Sequence, residues 1–111
     1  ADVIALGLRD TESGRLVAAV RVHVPDAGGR GAELARLVVV PDRQGQGLGS
    51  RLLGLAEEHL PVGIDVVRLF TGERSAANLR LYARFGYRET HRTPTPAGYA
   101  LVHLEKVIVA G

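Results

Sequence analysis

The 111-residue sequence has 46% hydrophobic and 23% charged residues, a composition typical of one globular domain and not of a disordered chain. Its 14 basic residues, all arginine except Lys106, are scattered among 12 acids and few aromatic residues, which disfavours a nucleic-acid-binding surface. Cysteine is absent, which excludes disulfides and thiolate metal sites, and no apolar run approaches the ~20 residues that a membrane-spanning helix needs. We therefore expect a cytoplasmic protein without a nucleic-acid or membrane partner.

Alternating apolar residues predict an antiparallel hairpin at the start of the sequence. Residues 3–9 place Ile4, Leu6 and Leu8 on one face, and residues 16–24 repeat this period of two. The polar residues at 11–14 between them are typical of a turn. A loop rich in glycine and proline then leads to a third predicted strand.

That third strand spans residues 33–40 and ends at Pro41, after which the apolar period changes to that of a helix. The apolar residues at helical spacing are Leu48, Leu52, Leu55, Ala56 and Leu60. We expect Arg51, Glu57 and Glu58 to face water. Pro61 and Gly63 mark the end of this helix.

A strand, a second helix and two further strands are predicted for the rest of the sequence. Residues 64–70 are apolar, and Ser75 is suited to cap a helix that stops before Gly86. Its predicted inner residues are Leu79, Tyr82 and Ala83. The last two strands are 87–93 and 99–109.

The resulting element order is β-β-β-α-β-α-β-β. A hairpin at each end and one helix between the third and fourth strands favour a single mixed, largely antiparallel sheet with covering helices. We therefore predict an α/β (α+β) fold in a single domain that spans residues 1–111.

The segment between the third strand and the first helix carries the clearest functional signal. Gly45, Gly47 and Gly49 alternate there, and the absence of Cβ atoms lets the main chain approach a ligand closely. The first turn of a helix adds unpaired N–H groups and the positive end of the helix dipole. Together these features predict a diphosphate site at the helix start. The alternative is a glycine connector that binds nothing.

Two common phosphate-binding motifs do not fit this segment. A nucleoside-triphosphate P-loop needs a lysine after its last glycine, and none lies nearby. In a dinucleotide fingerprint, Ser50 stands where the third glycine belongs. Asp65 lies about where that fingerprint has its ribose-binding acid, yet the predicted element order is not that of a doubly wound sheet.

Two motifs, about thirty residues apart, resemble those of the GNAT family of acetyl-CoA-dependent N-acetyltransferases. The first is Gln44-x-x-Gly47-x-Gly49, and the second is the segment 81–87, Leu-Tyr-Ala-Arg-Phe-Gly-Tyr. The resemblance covers nearly the whole sequence. One departure is that family members usually begin with a strand and two helices, which this sequence lacks. Those helices help to shape the acceptor site, so the acceptor is left open.

The resemblance implies transfer of an acetyl group from acetyl-CoA to a primary amine, on a small molecule or a protein, by direct attack. It implies that main-chain groups of 37–39 pair with the pantetheine arm and that those of 44–50 bind the diphosphate. Ser75 and Asn78 are expected to hydrogen-bond the pantetheine. The implied cofactor-binding residues are Leu37, Val38, Val39, Gln44, Gly45, Gln46, Gly47, Leu48, Gly49, Ser50, Ser75 and Asn78.

The resemblance also suggests which groups move protons. Glu33, at the start of the third strand, matches a catalytic glutamate of some family members and is our candidate base. It lies roughly 13 Å of extended chain from Leu37, so we expect a water to relay the proton. His23 is the rival base. Tyr82 matches the family's tyrosine that protonates the departing sulfur.

Three histidines have no predicted chemical role. His59, His91 and His103 are assigned to the surface or core, and no histidine pair has metal-ligand spacing, so no metal is expected.

One alternative to an active enzyme is a catalytically silent acyl-CoA-binding module. The other is a structural domain that forms a homodimer through an exposed sheet edge.

Overall fold

The computed structural model describes residues 2–26 and 28–108, so the predicted extension of the last strand to Val109 lies outside the described residues. The described part contains six strands and two α-helices: β1 (Asp2–Arg9), β2 (Leu16–Val24), β3 (Gly31–Val39), α1 (Leu48–Glu58), β4 (Val66–Gly72), α2 (Ala76–Arg84), β5 (Arg88–Pro94) and β6 (Ala100–Val107). A short 3₁₀ turn, Pro41–Arg43, follows β3. The predicted order of elements is confirmed, and the described bounds differ from the predicted ones by at most two residues.

Within the described residues, all six strands belong to one sheet with the order β1-β2-β3-β4-β6-β5. Only β3 and β4 are parallel there; the other four neighbouring pairs are antiparallel. The parallel pair follows from α1, since two parallel strands need a crossover long enough to return the chain to the same edge. The predicted mixed, largely antiparallel sheet is confirmed.

The core lies between one face of this sheet and α1. Val20 and Val22 of β2, Val102 of β6, and Leu52 and Leu53 of α1 are the largest fully buried side chains described. Each such leucine contributes roughly 1.5–3 kcal/mol through burial of its apolar surface. The strand residues that alternate with the buried ones point to the other face of the sheet, which is largely exposed. Neither described helix is both long and apolar enough to cross a membrane.

Three details of the helix predictions are wrong. Ala83 is exposed, because α2 turns Leu81, and not Ala83, toward α1. Glu57 does not face water: its carboxylate lies 2.5 Å from Lys106 Nζ, and both side chains are mostly buried. Ser75 occupies the residue position before α2, but its side chain makes no capping hydrogen bond.

A β-bulge interrupts β3 just before its end. Ala35 pairs with Arg21 and Val38 pairs with Ala19, so three steps along β3 match two along β2. The extra residue is accommodated at Arg36, whose φ is 55°, in the left-handed region that non-glycine residues rarely adopt. The bulge changes the direction in which the last residues of β3 point.

The parallel strands β3 and β4 pair only over their first residues. Residues 31–33 are matched with 66–68, and no pairing between these strands follows Glu33 and Arg68. Both strands continue beyond this point, to Val39 and Gly72. Main-chain groups of the last part of β3 are therefore not used by β4, and this end of the strand is free to bind another extended chain.

Candidate functional site

A cleft of about 460 Å³ lies where β3, α2 and the connection between β3 and α1 meet. This connection, residues 40–47, is called the glycine turn. The walls of the cleft come from the end of β3, from the turn and first helical turn of α1, and from one side of α2. The lining residues are Leu37, Val38, Val39, Arg43, Gln44, Gly45, Gly47, Leu48, Gly49, Ser50, Ala77, Asn78, Arg80, Leu81 and Arg84. Its volume is within the usual range for small-molecule sites.

The glycine turn exposes main-chain donors to this cleft. Gly45 and Gly47 have φ of 81° and 79°, which L-residues with a Cβ adopt only at a cost. Apart from the adjacent residues, no atom of the described part of the chain lies within 4 Å of where a Cβ would be. No side chain caps α1, and its first helical bond runs from the Arg51 N–H to the Gly47 carbonyl oxygen at 3.1 Å. The N–H groups of Leu48, Gly49 and Ser50 precede that bond and remain available for a ligand.

Gly49 has a different role from the other two glycines. A Cβ at this position would lie 2.8 Å from Cδ2 of Leu81, so the absence of a side chain lets α2 approach α1 closely. This contact places the side of α2 next to the first turn of α1. Helix packing, as well as ligand access, therefore requires glycine in this segment.

Ion pairs hold the start of the glycine turn against the β1–β2 turn. Arg15 donates to Asp42 at 2.5 Å, and its guanidinium lowers the pKa of the Asp42 carboxyl mainly through this hydrogen bond. Arg43 pairs with Asp10. Gln44 Nε2 donates to the Val39 carbonyl oxygen at 3.2 Å, which ties the turn back to β3. The orientation of the turn is thus set by residues distant in sequence.

The structure brings together most of the residues that the sequence predicts to bind the cofactor. Ten of them line the cleft: Leu37, Val38, Val39, Gln44, Gly45, Gly47, Leu48, Gly49, Ser50 and Asn78. Gln46 and Ser75 do not line it, although Gln46 lies between Gly45 and Gly47, which do.

Five lining residues were not predicted from the sequence, and three of them are arginines. Arg43 belongs to the turn, while Ala77, Arg80, Leu81 and Arg84 follow one side of α2. Their spacing of three, four and seven residues is the signal that a helical wheel of α2 would have shown. The arginines make this part of the cleft positively charged.

Tyr82, the candidate acid, lies in the core beside the cleft and is not one of its lining residues. It is 5% exposed, and its ring meets the ring of Tyr87 edge-on with 5.7 Å between centroids. Burial raises the pKa of Tyr82 above its usual value of 10.0. Its hydroxyl is therefore protonated at neutral pH, the state that a proton donor requires.

The two candidate bases are neighbours on the exposed face of the sheet. Glu33 of β3 is matched with His23 of β2 on one side and with Arg68 of β4 on the other. Side chains of directly opposed antiparallel residues are roughly 5 Å apart at Cβ, so Glu33 and His23 can interact. Both are exposed, and neither lines the cleft.

The described residues contain no group of three or more histidine, cysteine or acidic side chains arranged to hold a metal ion. His91 and His103 stack with 4.1 Å between ring centroids, and Phe70 contacts His103 at 5.8 Å. This row of rings lies on the exposed side of β4, β6 and β5 and contributes nothing to the cleft walls.

The comparisons with known proteins agree with this architecture. The sequence model of the acetyltransferase (GNAT) family matches residues 4–87. The aminoalkylphosphonate N-acetyltransferase of Salmonella typhimurium is 35% identical over 88 residues, which is 78% of this chain. The chain spans 56% of that relative's length.

Solved structures show the same fold. The ribosomal-protein-S18-alanine N-acetyltransferase of Escherichia coli superposes with a TM-score of 0.80 at 28% identity, over 98% of this chain and 72% of the other. An aminoglycoside 6'-N-acetyltransferase in complex with coenzyme A has a TM-score of 0.81 at 21% identity, over 98% and 74% of the two chains. With a family match over more than half of its length and this shared fold, the chain belongs to the acetyltransferase (GNAT) family.

Proposed function

We propose that this protein transfers an acetyl group from acetyl-CoA to a primary amine. The observation that carries the proposal is the set of free N–H groups at Leu48, Gly49 and Ser50, which line a cleft beside the unpaired end of β3. Such an arrangement suits a ligand that has a diphosphate at one end and an extended, amide-containing arm at the other.

The residues divide the binding of acetyl-CoA into two parts. The first turn of α1 holds the diphosphate with its N–H groups and its dipole. Residues 37–39 pair with the amides of the pantetheine arm, and Asn78, at the start of α2, hydrogen-bonds the arm from the opposite wall. The thioester then lies near Leu37, where a main-chain N–H polarises its carbonyl.

Acetyl-CoA supplies an activated thioester carbonyl. The nitrogen of the neutral amine forms a bond to this carbonyl carbon, the carbon–sulfur bond breaks, and the sulfur leaves with the bonding electron pair. Glu33 accepts the proton that the amine loses, through water, because it does not line the cleft. Tyr82 donates a proton to the departing sulfur, and its raised pKa keeps the hydroxyl protonated until the thiolate develops.

The direct test is thermal unfolding with and without acetyl-CoA, followed by thiol-release assays. A ligand that binds only the folded state raises the melting temperature, and the stabilisation grows with the logarithm of the ratio of free ligand to Kd. The amine panel includes aminoalkylphosphonates and peptides with amino-terminal alanine, since two relatives act on acceptors of these kinds. Absence of both a melting shift and calorimetric heat with saturating acetyl-CoA would contradict the proposal.

A catalytically silent acyl-CoA-binding module is the second candidate. It is favoured by one observation: neither Glu33 nor Tyr82 lines the cleft that holds the predicted cofactor-binding residues. This candidate predicts the same melting shift with acetyl-CoA but no thiol release with any amine of the panel. Release above the rate of spontaneous hydrolysis rejects it.

A further inference from the structure

Two arginines on α2 are the unexplained feature of the cleft. Arg43, the third arginine in its lining, is paired with Asp10. Arg80 and Arg84 have no ion pair with any residue in the described part of the chain, and both are exposed. Four residues apart on one side of α2, they lie about 6 Å apart along the helix axis.

Like charges at this spacing repel each other and weaken a helix. The positive charge of Arg84, in the last turn of α2, is stabilised by the negative end of the helix dipole. Arg80 lies one turn further from that end and gains less of this stabilisation. An anion bound between the two guanidinium groups removes the repulsion. Because both side chains line the cleft, that anion belongs to whatever the cleft binds.

The diphosphate of the proposed ligand already has its own donors. Those are the N–H groups at the start of α1, and the contact between Gly49 and Leu81 places Arg80 and Arg84 on the neighbouring wall. A ligand that satisfies both sets needs a second anionic group, separate from its diphosphate. Coenzyme A has one, the phosphomonoester on the 3′ oxygen of its ribose.

We propose that Arg80 and Arg84 bind the 3′-phosphate of coenzyme A and make the protein selective for coenzyme A over its 3′-dephospho form. A phosphomonoester carries up to two negative charges and accepts paired hydrogen bonds from guanidinium groups, which favours arginine over lysine here. The proposal rests on the proposed function, since it assumes that coenzyme A is the ligand of the cleft.

The experiment is calorimetric titration of the protein with coenzyme A and with 3′-dephospho-coenzyme A. We expect the wild-type protein to bind coenzyme A at least about tenfold more tightly, as two charge-assisted hydrogen-bond sets are lost with the phosphate. The variant Arg80→Ala/Arg84→Ala should bind both ligands with equal affinity, close to that of the wild-type protein for the dephospho form. Arg80→Lys/Arg84→Lys should keep part of the preference.

The matched control is Arg88→Ala, an exposed arginine of β5 that does not line the cleft. It should retain the full preference for coenzyme A. Equal binding of both ligands by the wild-type protein overturns this inference and leaves the proposed function intact. An equal loss for both ligands in the double alanine variant also overturns it, because the arginines would then contact the diphosphate. Binding of neither ligand by the wild-type protein overturns both proposals.

Discussion

The two ends of the β3–β4 pair differ in structure, because one end borders a cleft and the other lies on an exposed face of the sheet. At the far end, the last residues of β3, the glycine turn and α2 form a cleft with free N–H groups. Two of its arginines, Arg80 and Arg84, have no ion pair within the described residues. At the paired end, Glu33 lies in an ordinary register between His23 and Arg68 on an exposed sheet face. The far end thus borders a preformed cleft, whereas the paired end presents only side chains on an exposed surface.

This difference separates two kinds of recognition. In the proposed function, cofactor binding depends mainly on main-chain groups, which few substitutions remove unless they change the backbone or fill the space. Proton transfer, as proposed, depends on single side chains, which substitutions remove without changing the fold. If the two functions are separate, a substitution can remove either one and leave the other.

The largest effect is expected from Gly47→Glu, which should weaken binding of coenzyme A at least about 100-fold. Residue 47 has a left-handed φ, which a non-glycine residue adopts only at a cost, and the new carboxylate places a negative charge at the proposed diphosphate site. Calorimetric titration measures the change. Gly98→Glu is the control, because Gly98 has a similar φ of 85° and open space around it but lies outside the cleft. Equal losses of affinity in the two variants would contradict the prediction, because the effect would then not depend on the position of the glycine in the cleft.

Tyr82→Phe should lower kcat about 100-fold while leaving the affinity for acetyl-CoA unchanged. The hydroxyl acts on the departing sulfur in the proposed mechanism, and general acid catalysis contributes about 10²–10⁴-fold. Steady-state kinetics and calorimetry give kcat and Kd separately. Tyr87→Phe controls for the loss of a buried tyrosine hydroxyl, since the two rings are in contact. A similar fall in kcat for both variants assigns Tyr82 to packing alone.

Glu33→Gln should lower kcat/KM roughly tenfold, because a carboxylate that acts through water contributes less than one in direct contact. His23→Gln should leave kcat/KM unchanged. The two residues are neighbours in register, so the pair of variants is closely matched. A roughly tenfold loss in His23→Gln with none in Glu33→Gln would make His23 the base.

The smallest effect concerns stability at high pH. Burial raises the pKa of Tyr82 and, together with the charge of Glu57, that of Tyr87 above 10.0. The folded state therefore keeps protons that the unfolded state loses, so the contribution of these two tyrosines to the free energy of unfolding is constant below about pH 10 and falls above it. The fall is at most about 1.4 kcal/mol per pH unit for each tyrosine. Urea unfolding between pH 8 and 11 measures this slope, which should decrease in Tyr87→Phe.

Much of the fold could be predicted because its signals are local. The period of two in β1 and β2, the period of 3.6 in α1, and the breaks at Pro41 and Gly86 depend on residues close in sequence. Errors arose where a neighbouring element decided the outcome. Glu57 is drawn inward by Lys106 of β6, a residue 49 positions away that no periodicity in α1 can reveal.

The glycine turn was also local information, since alternate glycines at a helix start predict free N–H groups whatever surrounds them. The bulge at Arg36 was not, because no glycine marks it and only the register between β2 and β3 requires it. The approach of α2 that brings Arg80 and Arg84 to the cleft depends on the contact between Gly49 and Leu81. The sequence by itself thus determined the donors of the site, and the tertiary structure decided which charges stand opposite them, because packing sets distances between elements that sequence spacing cannot.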